Sequence, residues 1–220
     1  TRETMLHKTN PASSRIQSPY GAIELTTQRD SSPDLDLIAF RTRGRLLRPD
    51  GDIAGVCRFA SYRRKRSKAA LNAAQICTEL DAVSQEELDL GEALASWNPQ
   101  RLEGYINNAG LLIAERVEVF APLKGSGAWK ALYFATMEKT LAQHRHRPEE
   151  FFFTVFPLDF TGRVNRGNLS EFQTALRSMK LLYATHLGAK ALGLPKKSGS
   201  FMRAPVPEAM LRQAPAAWME

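Results

Sequence analysis

Apolar positions along this chain gather into short runs whose spacing predicts a definite order of strands and helices. Residues 1–33 are rich in Ser, Thr, Asn and Pro, with one short apolar stretch at 22–26. They read as a loose arm, bounded at about residue 35, that adds at most one edge strand. From Leu37 the pattern sharpens. Leu37-Ile-Ala-Phe40 and Ile53-Ala-Gly-Val-Cys57 flank Arg48-Pro-Asp-Gly-Asp52. Pro-Asp-Gly supplies a preset φ, an Asx acceptor and a φ > 0 position in turn order, so a β-hairpin is expected. Its second strand runs toward Tyr62 and stops at Arg63-Arg64-Lys65-Arg66. The segment 75–80 reads as a third short strand. Ser84-Gln-Glu-Glu87 has the form of a capping box and opens a helix that carries Leu90, Leu94 and Trp97 on one face and stops at Asn98-Pro99.

The apolar run 111–121 then reads as a central strand, and Lys124-Gly125-Ser126-Gly127 as a glycine turn into a helix. A strand, a glycine turn and a helix start in that order make an anion site, because main-chain N–H groups and the positive helix end converge on one spot. Phe151-Phe-Phe-Thr-Val-Phe156 is aromatic and β-branched throughout, as a strand buried on both faces would be. Residues 161–168 read as a polar loop. A last long helix is expected from Ser170, capped with Gln173, carrying Phe172, Leu176, Met179 and Tyr183 as a stripe and ending at Gly188. Phe201-Met-Arg203 is a candidate final strand.

Composition narrows the class. Two hundred and twenty residues suit one core with appendages, here 36–206, with 207–220 as a tail. Cys57 and Cys77 each lie in an apolar segment, which argues for core thiols and a reducing compartment. No apolar run reaches membrane-span length and no charged-apolar-small leader opens the chain, so a soluble cytoplasmic protein away from membranes is expected. The sequence does not open with Met, and its start is expected upstream. The net charge of +7 is concentrated: residues 41–68 hold ten Lys or Arg against Asp50 and Asp52. Such a field suits a polyanion, either nucleic acid or an acidic protein, and equally a solvated face.

The segment Lys124-Gly-Ser-Gly-Ala-Trp-Lys-Ala-Leu132 resembles the acyl-CoA pyrophosphate loop of GCN5-related N-acetyltransferases, with Lys124 in the Arg position and Gly125 and Gly127 as the glycines. Trp129 stands where that family has Gly or Ala. The resemblance extends from 111 to 203. Leu112-Ile-Ala-Glu-Arg-Val-Glu-Val119 is similar to the pantetheine strand, Phe153-Thr-Val-Phe-Pro-Leu158 to the next strand, and Leu182-Tyr-Ala-Thr-His-Leu-Gly-Ala189 to the closing helix and turn, with Ala189 replacing the usual Phe. It implies an α/β (α+β) fold, a central mixed, mostly antiparallel twisted sheet of six to seven strands flanked by helices. It also implies acetyl-CoA or another acyl-CoA as donor, held by Val119, Phe120, Lys124, Gly125, Ser126, Gly127, Ala128, Trp129 and Lys130. The acceptor would be a small-molecule or protein amine.

Acyl transfer from a thioester to an amine needs a neutral amine, a polarised carbonyl and a proton for the thiolate, and no nucleophilic side chain. Glu115 and Glu118 lie on the central strand, and strict alternation would point them to opposite faces. Glu118, nearer the loop, is the candidate base. The resemblance places Tyr183 as the acid, while its place in the apolar stripe equally suits a packed tyrosine. His144, His146 and His186 lack ligand spacing; the first two read as surface residues, and no metal is expected. Two readings stay open. One is an acyltransferase fed by acyl-CoA or by acyl carrier protein, an acidic partner for 41–68. The other is an inactive binding module with Trp129 in the cleft. Either is compatible with a monomer or a homodimer.

Overall fold

The computed structural model describes residues 12–144, 146–155, 168–192 and 201–212. Their elements run β1 Ala12–Ser18, β2 Gly21–Asp30, β3 Leu37–Leu47, β4 Ile53–Arg64, α1 Ala73–Asp81, α2 Gln85–Trp97, α3 Pro99–Gly104, a π-helical turn Tyr105–Ala109, β5 Leu111–Val119, α4 Ala128–Leu141, β6 Glu150–Thr154, α5 Leu169–Leu187, β7 Lys190–Ala191, β8 Phe201–Pro205 and α6 Glu208–Leu211. This is a mixed α/β fold. Among the described residues one sheet of eight strands runs in the order β1-β2-β3-β4-β5-β6-β8-β7. Every neighbouring pair is antiparallel except β5 with β6.

Strand alternation separates two apolar cores. On one face Ile23, Leu25, Leu46, Cys57, Phe59, Leu112, Phe151 and Phe153 meet α4, with Leu176, Met179 and Tyr183 of α5 packed against them. Helix α4 can lie close to β3 because position 44 is glycine: a Cβ there would stand 2.2 Å from Thr136 Oγ1. On the other face Leu37, Ala39, Ala60, Tyr62, Leu111, Ile113 and Phe152 pack against Ile76, Leu80, Leu90, Leu94, Leu102 and Ile106 of the α1 to α3 layer and the π-turn.

Several expectations change. Residues 12–30 form a hairpin, not a loose arm, because Ile23 and Leu25 are buried in the first core and β2 pairs along its whole length with β3. β1 and the two-residue β7 join the sheet and the segment 75–80 leaves it, so the described residues give eight strands where six or seven were expected. The segment 75–80 is helical. Asn72 accepts from the N–H of Gln75 while the Gln75 side chain reaches back, and Ile76 and Leu80 are buried one helical turn apart. The Ser84 box is half made: Ser84 accepts from the Glu87 N–H, but the Glu87 carboxylate turns to the Tyr62 hydroxyl at 2.8 Å. Helix α5 begins after Asn168 rather than at Ser170, and ends at Gly188 in the left-handed region as expected. His144 is no surface residue; its ring is buried, with Nε2 2.8 Å from Ser61 Oγ, while His146 is exposed. The polar loop read at 161–168 lies outside the described residues up to 167.

Candidate functional site

The parallel pair β5 and β6 touches over a short length only. Ile113 opposes Phe152 and Ala114 opposes Phe153, and there the pairing stops. β5 continues through Val119, so five residues, Glu115 to Val119, present one main-chain edge that no described strand pairs. At about 3.3 Å per residue that edge is about 16 Å long. Unpaired N–H and C=O groups at a parting of parallel strands form a cleft that an extended amide-bearing ligand can line.

The glycine turn closes the same end of β5. Gly125 (φ 87°) and Gly127 (φ 86°) both sit in the left-handed region, and the space beside Gly125 is open. Gly127 is the N-cap of α4 and supplies no side-chain bond to the orphan N–H groups of the first turn; that turn carries no acidic residue. Ser126 Oγ accepts from the Ala128 N–H at 3.2 Å, and Tyr20 donates its hydroxyl hydrogen bond to the Ser126 carbonyl. Lys124 is exposed and forms no ion pair among the described residues. The charge and donors for an anion are therefore together.

Trp129 turns away from the turn toward α5. Its ring lies edge-on to Tyr133, Tyr183 and His186 at 6.1, 6.4 and 6.0 Å, with Lys130 Nζ 5.9 Å from its centroid. Tyr183 also meets Phe153 edge-on at 5.1 Å, and burial pushes its hydroxyl pKa up. A phenol so placed holds its proton, and its oxygen makes no hydrogen bond among the described residues. Val119 is half-buried in the α4 core and Phe120 is exposed.

The two carboxylates of β5 do not point to opposite faces. Phe59 opposes Ala114 but Arg58 opposes Arg116, so Glu115 is an extra residue in a β-bulge. Glu115 keeps the α1 to α3 face of Leu111 and Ile113, and the bulge brings Arg116 and Glu118 onto the same face. There Glu115 accepts from Arg41 at 3.1 Å, and the same guanidinium lies 3.8 Å from Glu87 and 3.4 Å from Asp30. Burial raises the Glu115 pKa, Arg41 opposes that rise, and the Glu87 charge adds to it. Glu118 pairs with Arg116. Sequence reasoning singled out Glu118; both carboxylates are ion-paired, with side chains 23% exposed at Glu115 and 30% at Glu118.

The basic segment 41–68 is not one field. Arg41, Arg43 and Arg45 share a face, but Arg41 is absorbed by carboxylates. Arg63, at the far end of β4, points to the other face, over the Phe40 ring at 4.9 Å. With Arg64, Arg66, His144 and His146 it lines a cavity of about 160 Å³ at the opposite end of the sheet from the glycine turn.

No protein-family model matches the chain and no curated protein matches it significantly. Among the described residues no helix is long and apolar enough to cross a membrane.

Proposed function

We propose that this protein is an N-acyltransferase of the GCN5-related kind, moving an acyl group from acetyl-CoA or another acyl-CoA to an amine by direct attack on the thioester. The observation that carries the reading is the parting of β5 from β6 beside a helix start whose N-cap is glycine, with two left-handed glycines in the turn. The edge of β5 that no described strand pairs suits the amides of a pantetheine arm. The N–H groups of Gly125, Gly127 and Trp129, with Lys124 and Lys130, suit a pyrophosphate. Attack needs the amine neutral, and an alkylamine with a pKa of about 10.4 is mostly protonated at neutral pH. Glu115, its pKa raised by burial and by the Glu87 charge against the pull of Arg41, is favoured as the base over Glu118, which pairs with Arg116. Tyr183, kept protonated by burial beside Trp129, would hand a proton to the leaving thiolate.

A second reading has one observation in its favour. The Trp129 ring fills space between the start of α4 and Tyr183, which a binding module that had lost its cofactor would also do. The experiment that separates them is a mass-spectrometric screen of amines with acetyl-CoA for a CoA-dependent mass gain, repeated with Glu115→Gln and Tyr183→Phe. The acyltransferase reading expects transfer, lowered about 100-fold or more by Glu115→Gln, in the range of a lost general base. Transfer to no amine while the fold persists favours the binding module. Full activity of both variants removes them from the chemistry.

A further inference from the structure

The half of the sheet face that α1 to α3 leave uncovered carries an unusual row. Arg43 on β3 lies directly opposite Arg58 on β4, and Arg58 lies directly opposite Arg116 on β5. All three side chains are exposed, and Arg45 follows two residues along β3 on the same face. Like charges directly opposite on neighbouring strands, about 4.8 Å apart, are destabilising. Desolvation, then the charges of Arg45 and Arg58, lower the Arg43 pKa. Glu118 answers Arg116 alone, and Arg41, which could have shared its carboxylates, is set apart among Asp30, Glu87 and Glu115. Glu24 of β2 stands directly opposite Arg45, so the run of like charge in register is Arg43, Arg58 and Arg116. Three guanidiniums in register across three strands form a platform of forked donors, the geometry that recognises carboxylate and phosphate oxygens.

The position of the row matters as much as its charge. Arg116 follows the bulged Glu115 directly and belongs to the length of β5 that borders the cleft, on the face away from α4 and α5. A molecule whose anionic group rested on Arg43, Arg58 and Arg116 would have its other end beside Glu115 and the open edge of β5. We infer that the acceptor is an amine that also bears an oxyanion, carboxylate or phosphate, and that the arginine row binds that group so that the amine faces the thioester. This rests on the acyltransferase reading for the amine, and on the row alone for the anion.

The test uses the full chain and matched probes: L-leucine against L-leucinamide, and O-phosphoethanolamine against ethanolamine. Binding is measured by calorimetry in the presence of CoA, and acyl transfer from acetyl-CoA by mass. The expected result is that at least one oxyanion-bearing probe binds and reacts about tenfold or more better than its neutral partner, the scale of one charge-assisted hydrogen bond. The preference should fade at 1 M salt, where the Debye length falls to about 3 Å. It should vanish in Arg58→Gln and persist in Arg15→Gln, which removes the same charge from exposed β1. Arg58→Gln should melt no lower than the parent, since it relieves repulsion. Equal binding of the neutral partners, a preference that survives Arg58→Gln, or no binding by any probe overturns the anion site. An oxyanion preference in binding with no acyl transfer leaves the site standing and overturns the transferase reading. Transfer to neutral amines as readily as to charged ones does the reverse.

Discussion

At the residue scale the most constrained side chain outside the cleft is His144. It is buried, bonded through Nε2 to Ser61 and through its ring to the Ala109 carbonyl, and edge-on to Phe40. Position 110 must be glycine to admit it, since φ is 101° and a Cβ would stand 2.4 Å from His144 Cε1. Burial, then the charges of Arg63 and Arg147, lower its pKa from 6.5 to about 4. The unfolded chain therefore takes up this proton first as pH falls, and the native state loses stability between pH 6.5 and about 4, with no further loss from this group below. A shift of that size is worth on the order of 3 kcal/mol. His144→Gln should flatten the difference in melting temperature across that window. Identical pH slopes in parent and variant would mean the imidazole titrates normally. Cys57 is a contrasting case: burial pushes its thiol up to about 12, so it packs as a small apolar group.

At the element scale, much of the order was legible and the misreadings have local causes. The hairpin around Pro-Asp-Gly, the central strand at 111, the strand at 151, α2, α4 and the Gly188 cap all follow from signals within a few residues of where they act. Residues 12–30 were less legible because a hairpin packed on one face needs few apolar positions, here Ile23 and Leu25. The helix at 73 was missed because its box uses Asn72 and Gln75, while Ile76-Cys-Thr reads as β-prone in isolation. Asn72→Ala should cost about 1 kcal/mol, the usual value of an N-cap, read from chemical denaturation. No measurable cost would mean the α1 layer is held by Ile76 and Leu80 alone. The bulge was in fact written in the sequence. The apolar positions Leu112, Ala114, Val117 and Val119 step by two, three and two, and the step of three puts Glu115 and Arg116 on one face. The arginine row could not be read, because which arginines stand opposite each other depends on register between strands far apart in sequence.

At the scale of the whole molecule the two cores have different tasks. The α1 to α3 layer holds the Arg41 cluster beneath the bulge, through Glu87 of α2. The α4 and α5 layer packs Tyr183 against Phe153 of β6, and α4 starts at Gly127 after the glycine turn that follows β5. The central claim is that this opening holds CoA. It is tested most directly by calorimetric titration of CoA into the parent protein and into Gly127→Val, with a melting curve at each ligand concentration. A native-state ligand at 100 times its dissociation constant adds about 2.7 kcal/mol of stability. The account predicts saturable heat and a rising melting temperature for the parent. For Gly127→Val, which places a β-branched side chain at a φ of 86° on the approach to the helix start, it predicts at least about tenfold weaker binding in a protein that still folds. No heat and no thermal shift in the parent at millimolar CoA, or undiminished binding by a folded Gly127→Val, would contradict it.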